Sequence, residues 1–186
     1  MKRLLTLILC AFIFTGCNKV GDSMDRAIAF RQTLLQQKGC RFACDLTADY
    51  GNVLYTFSLE CESDNEGTIS FTVSSPKSIS GITGVISASG GKITFDNSVL
   101  GFPILSEDLP TPLGGPWIFM TALRSGYIRT SDDVGGKLSL TIADTYEEDA
   151  ILMLVDFNEE EVPAFCELIW QGRKILSMEI KSFTYL

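Results

Sequence analysis

The 186-residue chain contains no histidine. That removes the side chain that most often works as a general base near neutral pH, and with it the commonest metal ligand. No serine stands in the Gly-x-Ser-x-Gly setting of a hydrolase nucleophile elbow. Basic residues are scarce: 15 Lys and Arg face 23 Asp and Glu. A surface of that sign repels phosphate backbones and argues against nucleic acid as a partner. Apolar runs of the ~20 residues needed to span a bilayer are also missing. The longest, Leu4–Phe14, has eleven residues and lies at the N-terminus.

That run follows Met1-Lys2-Arg3, a short basic start, and ends in Phe14-Thr15-Gly16-Cys17. Its length fits the apolar region of a secretory signal. The four residues at its end resemble the lipobox of bacterial lipoproteins, with Phe14 bulkier than the usual leucine. The resemblance implies a signal peptide over 1–16 and lipidation at Cys17. A lipidated tether over 17–22 and a lipoprotein-carrier-like β domain over 23–186 then follow. Two or three acyl chains hold a protein stably on a membrane, whereas one does so only marginally. The expected location is therefore the extracytoplasmic face of the bacterial cell membrane. Losing Lys2 and Arg3 leaves 13 basic against 23 acidic residues, a net charge of −10.

Periodicity organises the remainder. Met24, Ala27, Ile28, Leu34 and Leu35 recur at three- and four-residue spacing and predict a helix from Met24 to Gln37, capped by Asp22 or Ser23. The period then changes to two. Cys40, Phe42, Cys44, Leu46, Ala48 and Tyr50 share one strand face, and Val53, Tyr55, Phe57, Leu59 and Cys61 continue it on the return. Further strands are expected at 69–75, 82–88, 92–96, 127–130, 138–143, 151–157, 164–170 and 174–183, with turn residues between them. Residues 97–116 combine Pro103, Pro110 and Pro112 with large apolar side chains, and they read as a long irregular connection. A short helix at 117–124, closed by Gly126, reads equally as a plug for the core or as a lid. The sum is a mainly β (α+β) chain of about ten antiparallel strands, with an N-terminal helix and a short helical element.

This order resembles the lipoprotein-localisation-factor-like superfamily. The resemblance is carried by the pair Phe42–Leu59 and by Phe71-Thr72-Val73-Ser74-Ser75-Pro76 with Ile79-Ser80-Gly81-Ile82. Pro116-Trp117 through Arg124-Ser125-Gly126-Tyr127 and Glu167-Leu168-Ile169-Trp170-Gln171-Gly172-Arg173 are similar to stretches of small lipoproteins of Gram-positive anaerobes. It implies a curved, half-open antiparallel barrel whose concave cavity holds acyl chains or another apolar ligand.

No catalytic constellation is expected, and no cofactor. Ser23 has no histidine to activate it. Cys40 and Cys44 stand about 13 Å apart along a strand, too far to share a metal ion or a bond. A tight turn at Tyr50-Gly51 would bring Cys40 opposite Cys61, so a Cys40–Cys61 disulfide is expected, with Cys44 and Cys166 either paired or free. Phe42, Leu46, Tyr55, Phe57, Phe71 and Val73 on the sheet, with Trp117, Phe119 and Met120 on the helix, are the candidate contacts for a lipid or other apolar ligand. The competing reading is an envelope lipoprotein acting through a protein partner, its groove filled by its own helix. Lipidation predicts that Cys17→Ala abolishes incorporation of labelled fatty acid and releases the protein from membranes, as read by metabolic labelling and fractionation.

Overall fold

The computed structural model describes residues 19–106 and 109–186; the expected signal peptide over 1–16 and the expected lipidation site Cys17 lie outside the described residues. Helix α1 (Lys19–Gln36) leads into β1 (Gly39–Asp49), β2 (Leu54–Asp64), β3 (Ile69–Ser75), β4 (Thr83–Ser87), β5 (Gly90–Phe95) and β6 (Ser98–Phe102). A small ribbon of β7 (Leu105–Ser106) and β8 (Leu109–Pro110) and a 3-10 turn at Pro112–Gly114 precede helix α2 (Gly115–Ser125). The chain closes with β9 (Tyr127–Val134), β10 (Lys137–Ala143), β11 (Leu152–Phe157), β12 (Pro163–Trp170) and β13 (Arg173–Tyr185). Eleven strands form one curved antiparallel sheet, ordered β6-β5-β4-β3-β2-β1-β13-β12-β11-β10-β9 and not closed on itself. The first and last strands meet in its middle, where β1 pairs with β13.

Turn chemistry explains three of the hairpins. Asp96-Asn97, Gly135-Gly136 and Gln171-Gly172 all have positive φ at both positions. That pattern belongs to two-residue turns whose twist matches that of the flanking strands.

The β1–β2 connection departs from expectation. It has four residues, because Asp49 pairs with Leu54. Asp49 Oδ1 accepts a hydrogen bond from the Gly51 amide at 2.6 Å, and Tyr50 N–H donates to Val53 O at 3.0 Å. Two extra turn residues shift the pairing by two, so the faces are kept but the partners change. Cys40 lies opposite Ser63, and Cys61 opposite Phe42. The expected Cys40–Cys61 disulfide is therefore corrected: Cys40, Cys44, Cys61 and Cys166 are all buried free thiols.

Helix α1 begins at Lys19, so Ser23 lies inside it and does not cap it. Its buried stripe is Ser23, Ala27, Phe30 and Leu34, while Ile28 and Leu35 are exposed. Ser23 Oγ donates to Ser131 O on the edge strand β9 at 2.9 Å, and Phe30 meets Phe157 edge-on at 4.8 Å between centroids. Arg26 completes this seam by pairing with Asp133 and Glu161.

Helix α2 presses Phe119 and Met120 into the middle of the inner sheet face. Phe119 packs edge-on against Phe42 at 5.6 Å, and both rings are buried. Gly115 and Gly126 allow this approach. A Cβ at Gly115 would stand 2.6 Å from Leu176 Cδ1, and one at Gly126 would stand 2.5 Å from Ile142 Cγ2. Phe119→Ala is predicted to destabilise the fold by about 3–5 kcal/mol. Ile28→Ala, on the exposed side of α1, should stay within about 0.5 kcal/mol. Urea unfolding of both variants checks the difference.

Candidate functional site

The nine apolar side chains expected to touch a ligand separate into two groups. Phe42, Leu46, Phe71, Val73, Phe119 and Met120 are buried in the packed core. Phe57 and Trp117 are half-buried, and Tyr55 is 42 % exposed. The middle of the inner face is therefore filled by the chain itself.

The helix that fills it is held at several points. Trp117 Nε1–H donates to Gly67 O at 3.0 Å, and Arg124 donates to Asp64 O at 2.9 Å and to Asn65 O. Arg31 of α1 donates to Leu123 O at 2.9 Å and Ala122 O at 3.3 Å, capping the carbonyl end of α2 with a positive charge. Burial lowers the pKa of that guanidinium. Of the two readings of 117–124, these contacts favour the plug.

The inner face stays open elsewhere. Beyond Ser75 the β3 strand ends, leaving Tyr55 and Phe57 of β2 without a neighbouring strand on that side. On the far strands of the same half-sheet, Ile93 pairs with Leu100 and Phe95 with Ser98. Phe95 is 58 % and Leu100 65 % exposed, while Ile82, Ile93 and Phe102 are half-buried. The β1–β2 turn, the 76–82 loop and the β5–β6 turn lie at one end of the sheet, as the register requires. The β7–β8 ribbon is tied near this end by Tyr50 Oη–H, which donates to Pro110 O at 2.6 Å. Thr111 secures the ribbon's base through bonds to Pro103 O and Ile104 O. Burial, and then the neighbouring Tyr55, push the Tyr50 phenol up to about 12. Phe95, Leu100, Ile82 and Ile93 are absent from the sequence-derived set. Their signal was the short alternation Ile93, Phe95 and Leu100, Phe102, hidden by the glycines and prolines around it.

A small hollow accompanies this end, and a wider one lies elsewhere on the sheet. The small one, of about 280 Å³, is lined by Tyr50, Leu109, Trp170, Gln171, Arg173 and Ile175. The wider one, of about 1110 Å³, lies on the outer sheet face. Its side chains are hydroxyl-rich and charged, among them Arg41, Glu62, Thr72, Thr94 and Thr184. It is unlike the apolar cavity that the sequence suggested.

The four cysteines gather on the inner face of β1, β2 and β12. Cys40 Sγ–H donates to Met120 Sδ at 3.8 Å. Burial pushes the Cys40 thiol up to about 12. A hydrogen bond with Cys44, and then burial, push Cys61 up, while burial alone dominates the rise at Cys166. Thiolates are the reactive form, so Cys40, Cys61 and Cys166 are held in their inert state.

No family model matches the sequence, and no curated protein matches it. Among solved structures, the chain is similar to an uncharacterised conserved protein from Thermus thermophilus, with 8 % identity, 89 % of this chain and 86 % of that chain covered, and a TM-score of 0.47. It is similar to a LolA superfamily protein from Nitrosomonas europaea, at 7 % identity, coverage of 90 % and 94 %, and a TM-score of 0.46. A putative outer membrane lipoprotein-sorting protein domain from Vibrio parahaemolyticus gives 9 % identity, coverage of 89 % and 93 %, and a TM-score of 0.45. These matches include the superfamily that the sequence resembles, and they give no support to an origin among Gram-positive anaerobes. A likeness of this strength assigns no ligand.

The raised thiols give a pH prediction. Their folded pKa values lie above the ordinary 9.0, so their contribution to stability is complete below that value. It is lost as pH rises towards the folded values, by about 1.4 kcal/mol per pH unit for each thiol. Urea midpoints should fall as pH rises from about 9 to about 11, and Cys166→Ala should flatten that decline. A thiol reagent at neutral pH should label none of the four before unfolding.

Proposed function

We propose that this chain is a non-catalytic exported lipoprotein, anchored through Cys17 on the outer side of the cell membrane, that holds an apolar ligand at the open end of its inner sheet face. The observation that carries the reading is the run of exposed large apolar side chains on that face, Tyr55, Phe95 and Leu100, where the two helices do not reach. Sites for apolar ligands are mostly apolar with few polar anchors, and the hydroxyl of Tyr55 is such an anchor. An acyl chain is the fitting ligand class. Burying on the order of ten methylenes there gains about 8 kcal/mol before ordering costs. Taken gross, that is the scale of a micromolar complex, and the ordering costs make the net affinity weaker. The lipid anchor supports the reading by placing the site beside a source of such chains.

A second reading is favoured by one observation. Helix α2 fills the middle of the inner face with Phe119 and Met120, as expected of a module whose groove is occupied by its own helix and which acts by binding an envelope protein. The two readings separate on delipidated protein. Ligand binding predicts saturable uptake of a fluorescent fatty-acyl probe, weakened about tenfold or more by Phe95→Asp and by Tyr55→Asp, with thermal unfolding unchanged. Those positions are exposed, so a carboxylate there stays hydrated. Absence of uptake by the unaltered protein would leave the interaction module as the better account.

A further inference from the structure

The two edges of the sheet are treated differently. Edge strand β9 lies under α1, whose Ser23 bonds to Ser131 and whose Arg26 pairs with Asp133. Asp132 and Asp133 put charge on that edge. Exposed edges are ordinarily blunted in just such ways, by a covering helix or by charge, because their unpaired backbone groups recruit further strands. The other edge, β6, has neither device. Among the described residues no second strand pairs with it, and Ser98-Val99-Leu100-Gly101-Phe102 carries no charge and no proline. Val99 and Leu100 are both 65 % exposed, one on each face of the sheet.

The stretch of chain around it carries little charge. Across residues 79–106 the charged side chains are Lys92 and Asp96, one of each sign, in a chain of net charge −8. Two such acidic molecules repel each other over most of their surfaces, and this neutral edge is where they approach without that cost. The strand also fits itself. In an antiparallel pair about a two-fold axis at Leu100, each Leu100 meets its counterpart, and each Val99 faces the other copy's Gly101, which has no side chain to obstruct it. Extending the rows through β5, where Ile93 pairs with Leu100, Thr94 with Val99 and Lys92 with Gly101, gives a continuous apolar row on the inner face. It also sets Lys92 in line with the other copy's Thr94, so no like charges meet.

We propose that β6 is a homodimerisation edge, pairing antiparallel with β6 of a second copy to make one continuous sheet across two molecules. Pro103 ends the pairing, because it has no amide hydrogen to donate. Leu100 belongs both to this edge and to the proposed ligand site, so the test turns on Val99, which faces the opposite side of the sheet.

Sedimentation velocity of the purified protein at tens of micromolar tests it. The expected result is a concentration-dependent dimer that Val99→Lys converts to monomer, while uptake of the acyl probe is unaffected. Leu100→Cys should give a disulfide-linked dimer under mild oxidation, since the two-fold axis brings position 100 against itself; Val85→Cys, on the outer face of β4, should not. A protein that stays monomeric throughout and whose Leu100→Cys variant fails to cross-link overturns the proposal. So does a dimer that persists in Val99→Lys.

Discussion

An eleven-stranded sheet with one apolar face must remove that face from water, and width sets the difficulty. Strands spaced about 4.8 Å apart make such a sheet about 50 Å across. A helix with its side chains covers about 10–12 Å. Two helices therefore cannot roof a flat sheet of this size, and curvature has to bring the inner face around them. Here α1 lies along β9 and β10, and α2 sits in the middle against Phe42 and Ile142. What remains uncovered is the inner face of β5 and β6 and the free end of β2. The exposed Tyr55, Phe95 and Leu100 follow from that shortage of cover.

The fixed position of α2 rests on hydrogen bonds and packing more than on ion pairs. Arg41–Glu62, Arg173–Asp49 and Lys181–Glu179 are largely exposed, and pairs of that kind contribute about 0–1 kcal/mol. The bonds from Trp117, Arg124 and Arg31 act differently. Each satisfies a carbonyl at a turn or a helix end, where the backbone has no partner of its own. They join α2 to the β2–β3 turn on one side and to α1 on the other. A helix so tied resists release as a lid, which moves any binding site from beneath α2 to the end it leaves open.

Much of the fold was legible because period-two alternation decides which face a residue takes. Cys40, Phe42, Cys44, Leu46 and Ala48, with Leu59 and Cys61 on the return strand, were placed on one face by that rule, and there they lie buried. Register was not legible. It depended on the Asp49 side chain lengthening one turn by two residues, a local hydrogen bond with no periodic signature. The buried stripe of α1 was half read: Phe30 and Ser23 face the sheet, whereas Ile28 and Leu35 face solvent, because the β9 edge and Phe157 decide which side is covered. Strand β6 was lost among glycines and prolines, and the open apolar end was lost with it. Nothing in the local sequence says that a strand will be the last in its sheet.

The cysteines show how those levels connect. Cys40, Cys44, Cys61 and Cys166 occupy inner-face positions that larger residues could have taken. Free cysteine packs as a small apolar side chain. Small residues on the sheet beneath α2 leave depth for large ones on the helix, and Met120 lies over Cys40 at sulfur-to-sulfur contact. The same logic sets glycine at each end of the helix, where any side chain would strike Leu176 or Ile142. Bulk is thus carried by the helix and space by the sheet, so that α2 sinks into the middle of the face. A leucine at position 40 would hold α2 further out, leaving room beneath it. Here that room is filled, and the apolar surface available to a ligand is displaced to the strands that the helix cannot reach.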